Sequence, residues 1–211
     1  MSARLYYYPG NANLAPHILL HEAKVDVELV LVDRTANAQM SAEYLRLNPN
    51  GRIPTLVHGE LVLFEAAAIC LHIADHAPQA KLIPELGSSA RSEFYKWLVF
   101  LTNTVQPAYM AFRYPEQHTD DPAGVEGVRR SAAERARRAF LVLEAALGAG
   151  PFVLGSAYSA CDAYLFMLAW WANKLPDPPA RWPRMRRCLE AVLERPATRA
   201  ACAAEGLSVS F

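Results

Sequence analysis

Two short stretches of the chain carry residues that could hold a peptide-like ligand with an acidic end. Ile53-Pro54 lies just before an apolar run, and a proline there cannot donate a hydrogen bond to a sheet ladder. A cis bond would turn the chain sharply and leave the N–H and C=O groups of Ile53 unpaired, so a peptide could pair with them as an extra strand does. Glu65-Ala66 opens the next predicted helix, where free backbone N–H groups favour an anion.

The same residues also have an ordinary interpretation, and the local sequence does not decide between the two. Pro54 could be an edge-strand proline, and Glu65 could be a residue that merely begins a helix. In the functional interpretation, the peptide clamp and the anion site lie about one strand apart.

Residues 1–77 carry the strand and helix patterns that would position these two sites. Turn residues such as Asn48-Pro49-Asn50-Gly51 separate β-forming runs from helical ones. The predicted elements are a strand at 4–8, a helix at 15–24, a strand at 25–32, a short helix at 41–47 with Ser41 as N-cap, two hairpin strands at 55–58 and 61–64, and a helix at 66–74. The order βαβαββα predicts an α/β domain.

Residues 78–89 are rich in proline, glycine and serine and have no periodicity, so we place a linker and a domain boundary there. Residues 90–211 have a helical pattern, which predicts an all-α second domain. Pro107 should kink or end the first of its helices. Ser159-x-x-Asp162 precedes an apolar run and is a variant of the capping box, with Asp in place of Glu.

The bulk composition excludes several classes of protein. Lys and Arg together number 21, as do Asp and Glu, so no overall charge favours nucleic acid or an anionic membrane. Hydrophobic residues make up 53% of the chain, which is ample for a packed core. No apolar run approaches the length of a membrane span, and the N-terminus has no signal-peptide core.

The four cysteines are far apart, with no CxxC pair, and the histidines do not cluster along the sequence. This spacing argues against a zinc site and against a local redox pair, so we expect no bound metal. Reduced, mostly buried thiols in the cytoplasm are the expectation.

Four motifs together resemble the glutathione S-transferase family, and its bacterial beta-like members most closely. They are LYYYPGNANLAPH (Leu5 to His17), NPNGRIPTL (Asn48 to Leu56), FEAAAI (Phe64 to Ile69) and YSACDAYLF (Tyr158 to Phe166). They occur in the family's order and spacing, and the similarity runs over nearly the whole chain. The resemblance implies a thioredoxin-like first domain and a helical second domain that lines the second-substrate site.

The resemblance also implies that glutathione is the co-substrate and that the two stretches described first hold it. Ile53 would pair with the cysteinyl part, while Glu65 and the backbone beyond it would hold the γ-glutamyl end. The full set of residues implied to contact glutathione is Gln39, Arg52, Ile53, Pro54, Glu65 and Ala66.

The chain departs from the family at the group that would stabilise the glutathione thiolate. Beta-like members carry a cysteine where this chain has Ala12, and theta- and delta-like members carry a serine where it has Asn11. Three donors are available, and we rank Asn11 first, Tyr7 second and Asn13 third. In the alternative interpretation, the two asparagines only shape the loop. Loss of the cysteine argues against a mixed disulfide with glutathione at this site.

A second departure lies in the helical domain, where beta-like members have a His-Lys pair and this chain has Gln106-Pro107. Acid–base chemistry there is therefore not expected, although Gln106 could hydrogen-bond a ligand. A pocket for the second substrate is expected between the domains. Its candidate lining is Tyr8, Gln106, Tyr109, Met110, Arg113, Tyr114 and Trp170, with a core role equally open for Met110 and Trp170.

The predicted activity is attack of bound glutathione thiolate on a small, mostly apolar electrophile, as in detoxification. The resemblance implies a homodimer in which Asn103 or Thr104 approaches the partner's glutathione. Two alternatives remain open: a glutathione-dependent reductase or peroxidase, and a non-catalytic glutathione- or ligand-binding protein of the same fold.

Overall fold

The computed structural model describes residues 3–211, which form two compact units. The first unit contains the chain up to Ile83 together with Leu193–Ser210, and the second contains Pro84–Val192 with Phe211. The chain passes between the units inside the predicted linker 78–89. The sequence pattern placed all of 90–211 in the helical domain, whereas the structure packs Leu193–Ser210 with the first unit, because the last helix lies against the first one.

The first unit is built on a four-stranded mixed sheet with strand order β2-β1-β3-β4. β1 and β2 are parallel, whereas β3 is antiparallel to both β1 and β4. The strands are β1 (Ala3–Tyr7), β2 (Val27–Leu31), β3 (Thr55–His58) and β4 (Leu61–Phe64). The predicted hairpin strands have the predicted bounds, and the βαβαββα order is confirmed.

Three helices follow these strands, and a fourth comes from the C-terminal segment. They are α1 (Leu14–Glu22), α2 (Ala42–Leu45), α3 (Ala66–His76) and α9 (Pro196–Ala204). α1 packs against both α3 and α9, and its apolar side chains Leu14, Ile18 and Leu19 are completely buried. Ser41 caps α2 as predicted, because its hydroxyl accepts a hydrogen bond from the N–H of Tyr44 at 3.2 Å.

The second unit is all-helical, as predicted. Its helices are α4 (Ser89–Phe100), α5 (Gln106–Arg113), α6 (Val125–Ala146), α7 (Ala160–Trp171) and α8 (Pro183–Leu193). α7 is buried from Ala160 through Ala169, so it is the central helix of this unit. No helix among residues 3–211 is long and apolar enough to cross a membrane.

A π-helical segment, Leu101–Val105, joins α4 to α5 just before Pro107. The N–H of Gln106 reaches back five residues, to the C=O of Leu101. Because Pro107 has no N–H to donate, it lies in the first turn of α5, where that donor is not needed. The predicted break at Pro107 is therefore confirmed as a change of helical register.

Candidate functional site

One edge of the sheet collects the segments that the sequence predicts to do chemistry. Tyr7 at the end of β1 pairs with Leu31 at the end of parallel β2, so the loops after both strands leave at that edge. Thr55 at the start of β3 pairs with Tyr6 on one side and with Phe64 at the end of β4 on the other. The segments 9–13, 33–37, 53–54 and 65–66 therefore lie along one edge, which we call the site edge.

The Ile53-Pro54 peptide bond is cis, as predicted. Within the described chain, no hydrogen bond uses the backbone N–H or C=O of Ile53. The preceding carbonyl is anchored instead, because the C=O of Arg52 accepts hydrogen bonds from the Tyr44 hydroxyl and the Asn48 amide, both at 2.7 Å. The structure thus holds Ile53 firmly and leaves its backbone groups available to a ligand.

The other two residues in the predicted glutathione set beside this turn differ in exposure. The Arg52 side chain is exposed to solvent. The Gln39 amide donates to the Asn37 Oδ1 at 2.7 Å, and its buried Oε1 has no hydrogen-bond partner among residues 3–211. Gly51 takes φ +59°, and a side chain there would press on Met40 and on the Gln39 carbonyl.

Glu65 has an unusual backbone for a residue other than glycine, with φ 72° and ψ 110°. Such a conformation costs about 1–3 kcal/mol and persists where the surrounding structure enforces it, often at functional sites. Glu65 is the N-cap of α3, yet its exposed carboxylate makes no capping hydrogen bond. Its carboxylate and the first N–H groups of α3, which begins at the buried Ala66, remain available to a ligand.

The two candidate asparagines have different surroundings. Asn13 is fully buried, and its amide accepts from the Tyr8 N–H at 3.2 Å and donates to Glu205 at 2.8 Å. Asn11 is half-buried, and its Oδ1 accepts a hydrogen bond from Arg34 at 2.9 Å. Its Nδ2 has no partner within the described residues. The geometry therefore favours a structural role for Asn13 and leaves Asn11 with a free donor.

Tyr7 and Ala12 complete the set of positions near the expected thiolate. Tyr7 is half-buried, and its hydroxyl makes no hydrogen bond within residues 3–211, so it also remains a candidate donor. Its backbone carbonyl accepts from the Val32 N–H at 2.8 Å, which links the ends of β1 and β2. Ala12 is half-buried and offers no side-chain donor.

Glu205, which no sequence motif singles out, organises the loop that carries Asn11. Its buried carboxylate accepts hydrogen bonds from the Gly10 N–H, the Asn13 amide and His17 Nδ1, each at 2.8 Å. Glu205 follows α9, so the C-terminal segment fixes the start of α1. The buried His17 in the family-like motif was the available signal, because a buried imidazole requires a partner.

The predicted second-substrate residues of the helical unit are mostly held by neighbours within it. The Gln106 Oε1 accepts from the Tyr164 hydroxyl at 2.6 Å. Tyr109 is buried and stacks on Trp171, and burial raises its pKa to about 12, so it is a core residue. The exposed Arg113 lies over the ring of Tyr114, whereas Met110 and Trp170 are half-buried. In the first unit, the remaining candidate Tyr8 is half-buried.

The two residues proposed to approach a partner subunit, Asn103 and Thr104, are exposed on the π-helical segment. π-Helical turns are rare and are frequently found at functional sites. Their exposure leaves them available for contact with a partner.

Three histidines that are separate in sequence meet in the first unit, which the sequence pattern did not predict. His58 Nδ1 lies 3.1 Å from His72 Nε2, and His76 Nδ1 donates to the C=O of His72 at 2.9 Å. Burial lowers the pKa of His72, and the nearby His76 and His58 lower it further. Even so, no group of three potential ligands within residues 3–211 could hold a metal ion.

Family models match two segments of the chain, and individual relatives and structures match nearly all of it. The family model "Glutathione S-transferase, N-terminal domain" matches residues 1–75, and that of the C-terminal domain matches residues 108–191. Glutathione S-transferase GST-4.5 of Xanthomonas campestris is 30% identical, over 97% of this chain and 100% of the relative.

Two solved structures extend this similarity to the fold. A glutathione S-transferase of Xylella fastidiosa superimposes with a TM-score of 0.89 at 30% identity, over 98% of this chain and all of that one. A sphingomonad glutathione S-transferase complexed with glutathione gives a TM-score of 0.84 at 31% identity, over 97% of this chain and 100% of that one.

Proposed function

The chain belongs to the glutathione S-transferase family, and from that premise we propose that it joins glutathione to a small, mostly apolar electrophile. The thiolate of bound glutathione attacks an electrophilic carbon and forms the new carbon–sulfur bond, while the bond from that carbon to its leaving group breaks. The leaving group departs with the bonding electron pair, as halide does from an aromatic halide. Such a reaction serves detoxification, because it makes an apolar, reactive compound polar and inert.

The observation that carries the proposal is the pair of uncommitted groups on the site edge. The free backbone of Ile53 can pair with the cysteinyl part of glutathione as a neighbouring strand would. The Glu65 carboxylate, on a residue held at φ 72°, can accept a hydrogen bond from the ligand amine. The N–H groups that open α3 can donate to the carboxylate of the ligand. Pro54, Ala66, Arg52 and Gln39 are proposed to shape this site around the ligand.

The thiolate donor is proposed to be Asn11. A free thiol has a pKa near 8.5, and lowering it by about 2 units requires about 2.7 kcal/mol. One hydrogen bond to a charged group supplies roughly 1.5–3 kcal/mol, and a helix N-terminus roughly 0.3–1 more. A single good donor at the start of α1 is therefore nearly sufficient, and Asn11 lies there with its Nδ2 free.

The finer features of the family remain part of the proposal. We expect a homodimer, in which the exposed Asn103 or Thr104 approaches the glutathione of the partner. The second substrate is expected to contact residues of the helical unit, namely Gln106, Met110, Arg113, Tyr114 and Trp170, whereas the buried Tyr109 belongs to the core of that unit. The reducing cytoplasm is the proposed compartment, because all four cysteines are free thiols.

Retention on immobilised glutathione, followed by a conjugation assay with an aromatic halide, tests the proposed activity. A glutathione transferase is expected to be retained on the column and to catalyse the conjugation of glutathione with the aromatic halide. Retention without catalysis would indicate a non-catalytic glutathione-binding protein. Failure in both assays would indicate that glutathione is not the ligand.

A further inference from the structure

Two neighbouring loops bring a cation to the candidate thiolate donor. Because β1 and β2 are parallel and paired, the loop after each strand leaves at the site edge. The first of these loops carries Asn11 and the second carries Arg34. The Arg34 guanidinium donates from Nη1 to the Asn11 Oδ1 at 2.9 Å.

The backbone of both partners is fixed by local hydrogen bonds. The N–H of Asn11 donates to the C=O of Tyr8 at 3.1 Å, and its C=O accepts from the N–H of Leu14 at 3.0 Å. On the other loop, the Asp33 carboxylate accepts from the N–H and the hydroxyl of Thr35, at 2.8 and 2.7 Å, which closes a turn around Arg34. The contact therefore joins two ordered loops.

A side-chain amide can present either its oxygen or its N–H₂ group in a given direction, and the neighbours decide which. Arginine only donates hydrogen bonds, so it pairs with the Asn11 oxygen and disfavours the flipped amide, whose N–H₂ would face the guanidinium. The flipped amide would also turn its oxygen toward a thiolate, which is repulsive. The guanidinium further polarises the amide and strengthens its N–H₂ as a donor.

We propose that Arg34 is a positioning residue, which fixes the Asn11 amide so that its N–H₂ group serves the glutathione sulfur. The inference rests on the proposed function, since it names the residue that orients the proposed donor. Arg34 acts through Asn11, so its effect on the sulfur disappears when the Asn11 amide is absent.

The test is a double-mutant cycle on the thiol pKa of bound glutathione. The four proteins are the parent, Asn11→Ala, Arg34→Ala and the double variant, each saturated with glutathione after its dissociation constant has been measured by calorimetry. Ultraviolet absorbance of the thiolate against pH gives the apparent pKa. Arg46→Ala is the matched control, because it removes an exposed cation of the same unit. Within residues 3–211, the Arg46 side chain hydrogen-bonds only the Ala42 carbonyl.

Arg34→Ala should raise the apparent thiol pKa by about 0.5 units, a roughly threefold loss of thiolate below the pKa. The same substitution in the Asn11→Ala background should add nothing, as expected for two residues that act as one unit. Arg34→Lys should restore part of the effect, because an ammonium can still donate to the oxygen but lacks the rigid planar fork. Arg46→Ala should leave the pKa at the parent value.

Other outcomes overturn the inference in distinguishable ways. An equal shift from Arg34→Ala in both backgrounds makes Arg34 a direct charge on the sulfur, not a positioning residue. If Asn11→Ala shifts the thiol pKa and Arg34→Ala does not, Arg34 has no positioning role, and Asn11 remains the proposed donor. If Asn11→Ala itself leaves the pKa unchanged, the donor assignment in the proposed function fails, and the role of Arg34 fails with it.

Discussion

At the scale of single residues, burial separates two asparagines that the sequence presents as equivalent candidates. Asn13 is inaccessible to solvent, and both its amide oxygen and its amide N–H₂ group hydrogen-bond the protein. The Asn11 side chain hydrogen-bonds the described residues only through its amide oxygen. A buried amide must be satisfied by the protein, so little remains for a ligand. The half-buried Asn11 keeps a donor that can serve the substrate, which supports its first rank.

Separate substitution of the two highest-ranked donors, Asn11 and Tyr7, compares their effects on the thiol pKa of bound glutathione. Asn11→Ala should raise the apparent thiol pKa of bound glutathione by about 1 unit or more, since a hydrogen bond to a charged group is lost. Tyr7→Phe should have a smaller effect. Thiolate absorbance against pH measures both. A shift with Tyr7→Phe and none with Asn11→Ala would assign the role to the hydroxyl.

Glu65 should determine glutathione affinity more than turnover. Glu65→Ala removes the carboxylate proposed to accept a charge-assisted hydrogen bond from the ligand amine, so the KM for glutathione should rise about tenfold or more. Steady-state kinetics with varied glutathione gives the value. Glu60→Ala is the matched control, because Glu60 is an exposed carboxylate in the hairpin turn at the other end of β4. An unchanged KM in Glu65→Ala would reduce Glu65 to a residue that only begins a helix.

At the scale of elements, the start of α7 shows how a short motif fixes a core helix. The predicted capping box between Ser159 and Asp162 is present. The buried Asp162 carboxylate accepts from the N–H and hydroxyl of Ser159 and from the N–H of Val153, at 2.7–3.0 Å. Because the box lies at the start of the central helix, it should affect stability and not chemistry.

Ser159→Ala should lower the free energy of unfolding by about 1 kcal/mol from the cap alone, and by more because the buried carboxylate loses a donor. Chemical denaturation measures the loss. Ser88→Ala is the matched control, since Ser88 caps α4 through the Arg91 N–H in a less buried place. The explanation is wrong if Ser88→Ala costs as much as Ser159→Ala.

Two histidines with lowered pKa values, His72 on α3 and His21 on α1, should make stability depend on pH. The pKa of His72 is lowered by burial and by His76 and His58, despite a small opposite effect of Asp75, and the pKa of His21 is lowered by burial and by His17. Because the pKa of these histidines is lower in the folded protein, the unfolded chain binds more protons than the folded protein once the pH falls below the unfolded histidine pKa. The free energy of unfolding should therefore fall as the pH falls below about 6.5.

Denaturation at several pH values tests this expectation. His72→Gln should reduce the loss of stability on acidification, because the variant has no imidazole to protonate at that place. The control is His118→Gln, an exposed position in the other unit. Equal pH dependence in the parent and in His72→Gln would show that the histidine cluster does not control acid stability.

At the scale of the whole molecule, the thiol chemistry is expected to belong to glutathione and not to the protein. All four cysteines are free and buried. Burial raises the pKa of the Cys70 and Cys188 thiols and raises that of Cys202 to about 11. The thiolate is the reactive form, so these cysteines should be inert in the folded protein.

Oxidised glutathione should therefore form no mixed disulfide with the native protein, whereas the denatured protein should be modified. Mass spectrometry of the intact chain measures both. Ala12→Cys should gain one reactive thiol, because position 12 is half-buried at the start of α1. Rapid modification of the native parent would contradict the assignment of the cysteines as structural.

The sequence by itself determined the parts of this protein that depend on neighbouring residues. The hairpin at 55–64, the cap at Ser41, the break at Pro107 and the box at Ser159 each rest on contacts within a few residues, so local patterns encode them. Turn, strand and helix patterns predicted the order of the elements, and the family motifs identified glutathione as the ligand of the candidate site.

Tertiary structure alone decided which polar groups of the candidate residues are hydrogen-bonded within the protein and which remain available to a ligand. Glu205 contacts Asn13 across 192 positions, and Arg34 contacts Asn11 across 23. His58 and His72, 14 positions apart, meet only because α3 packs against β3. Such contacts depend on how strands pair and helices pack, and no local pattern records them. The free amide of Asn11 and the committed amide of Asn13 follow from that packing, although the two residues are identical in type.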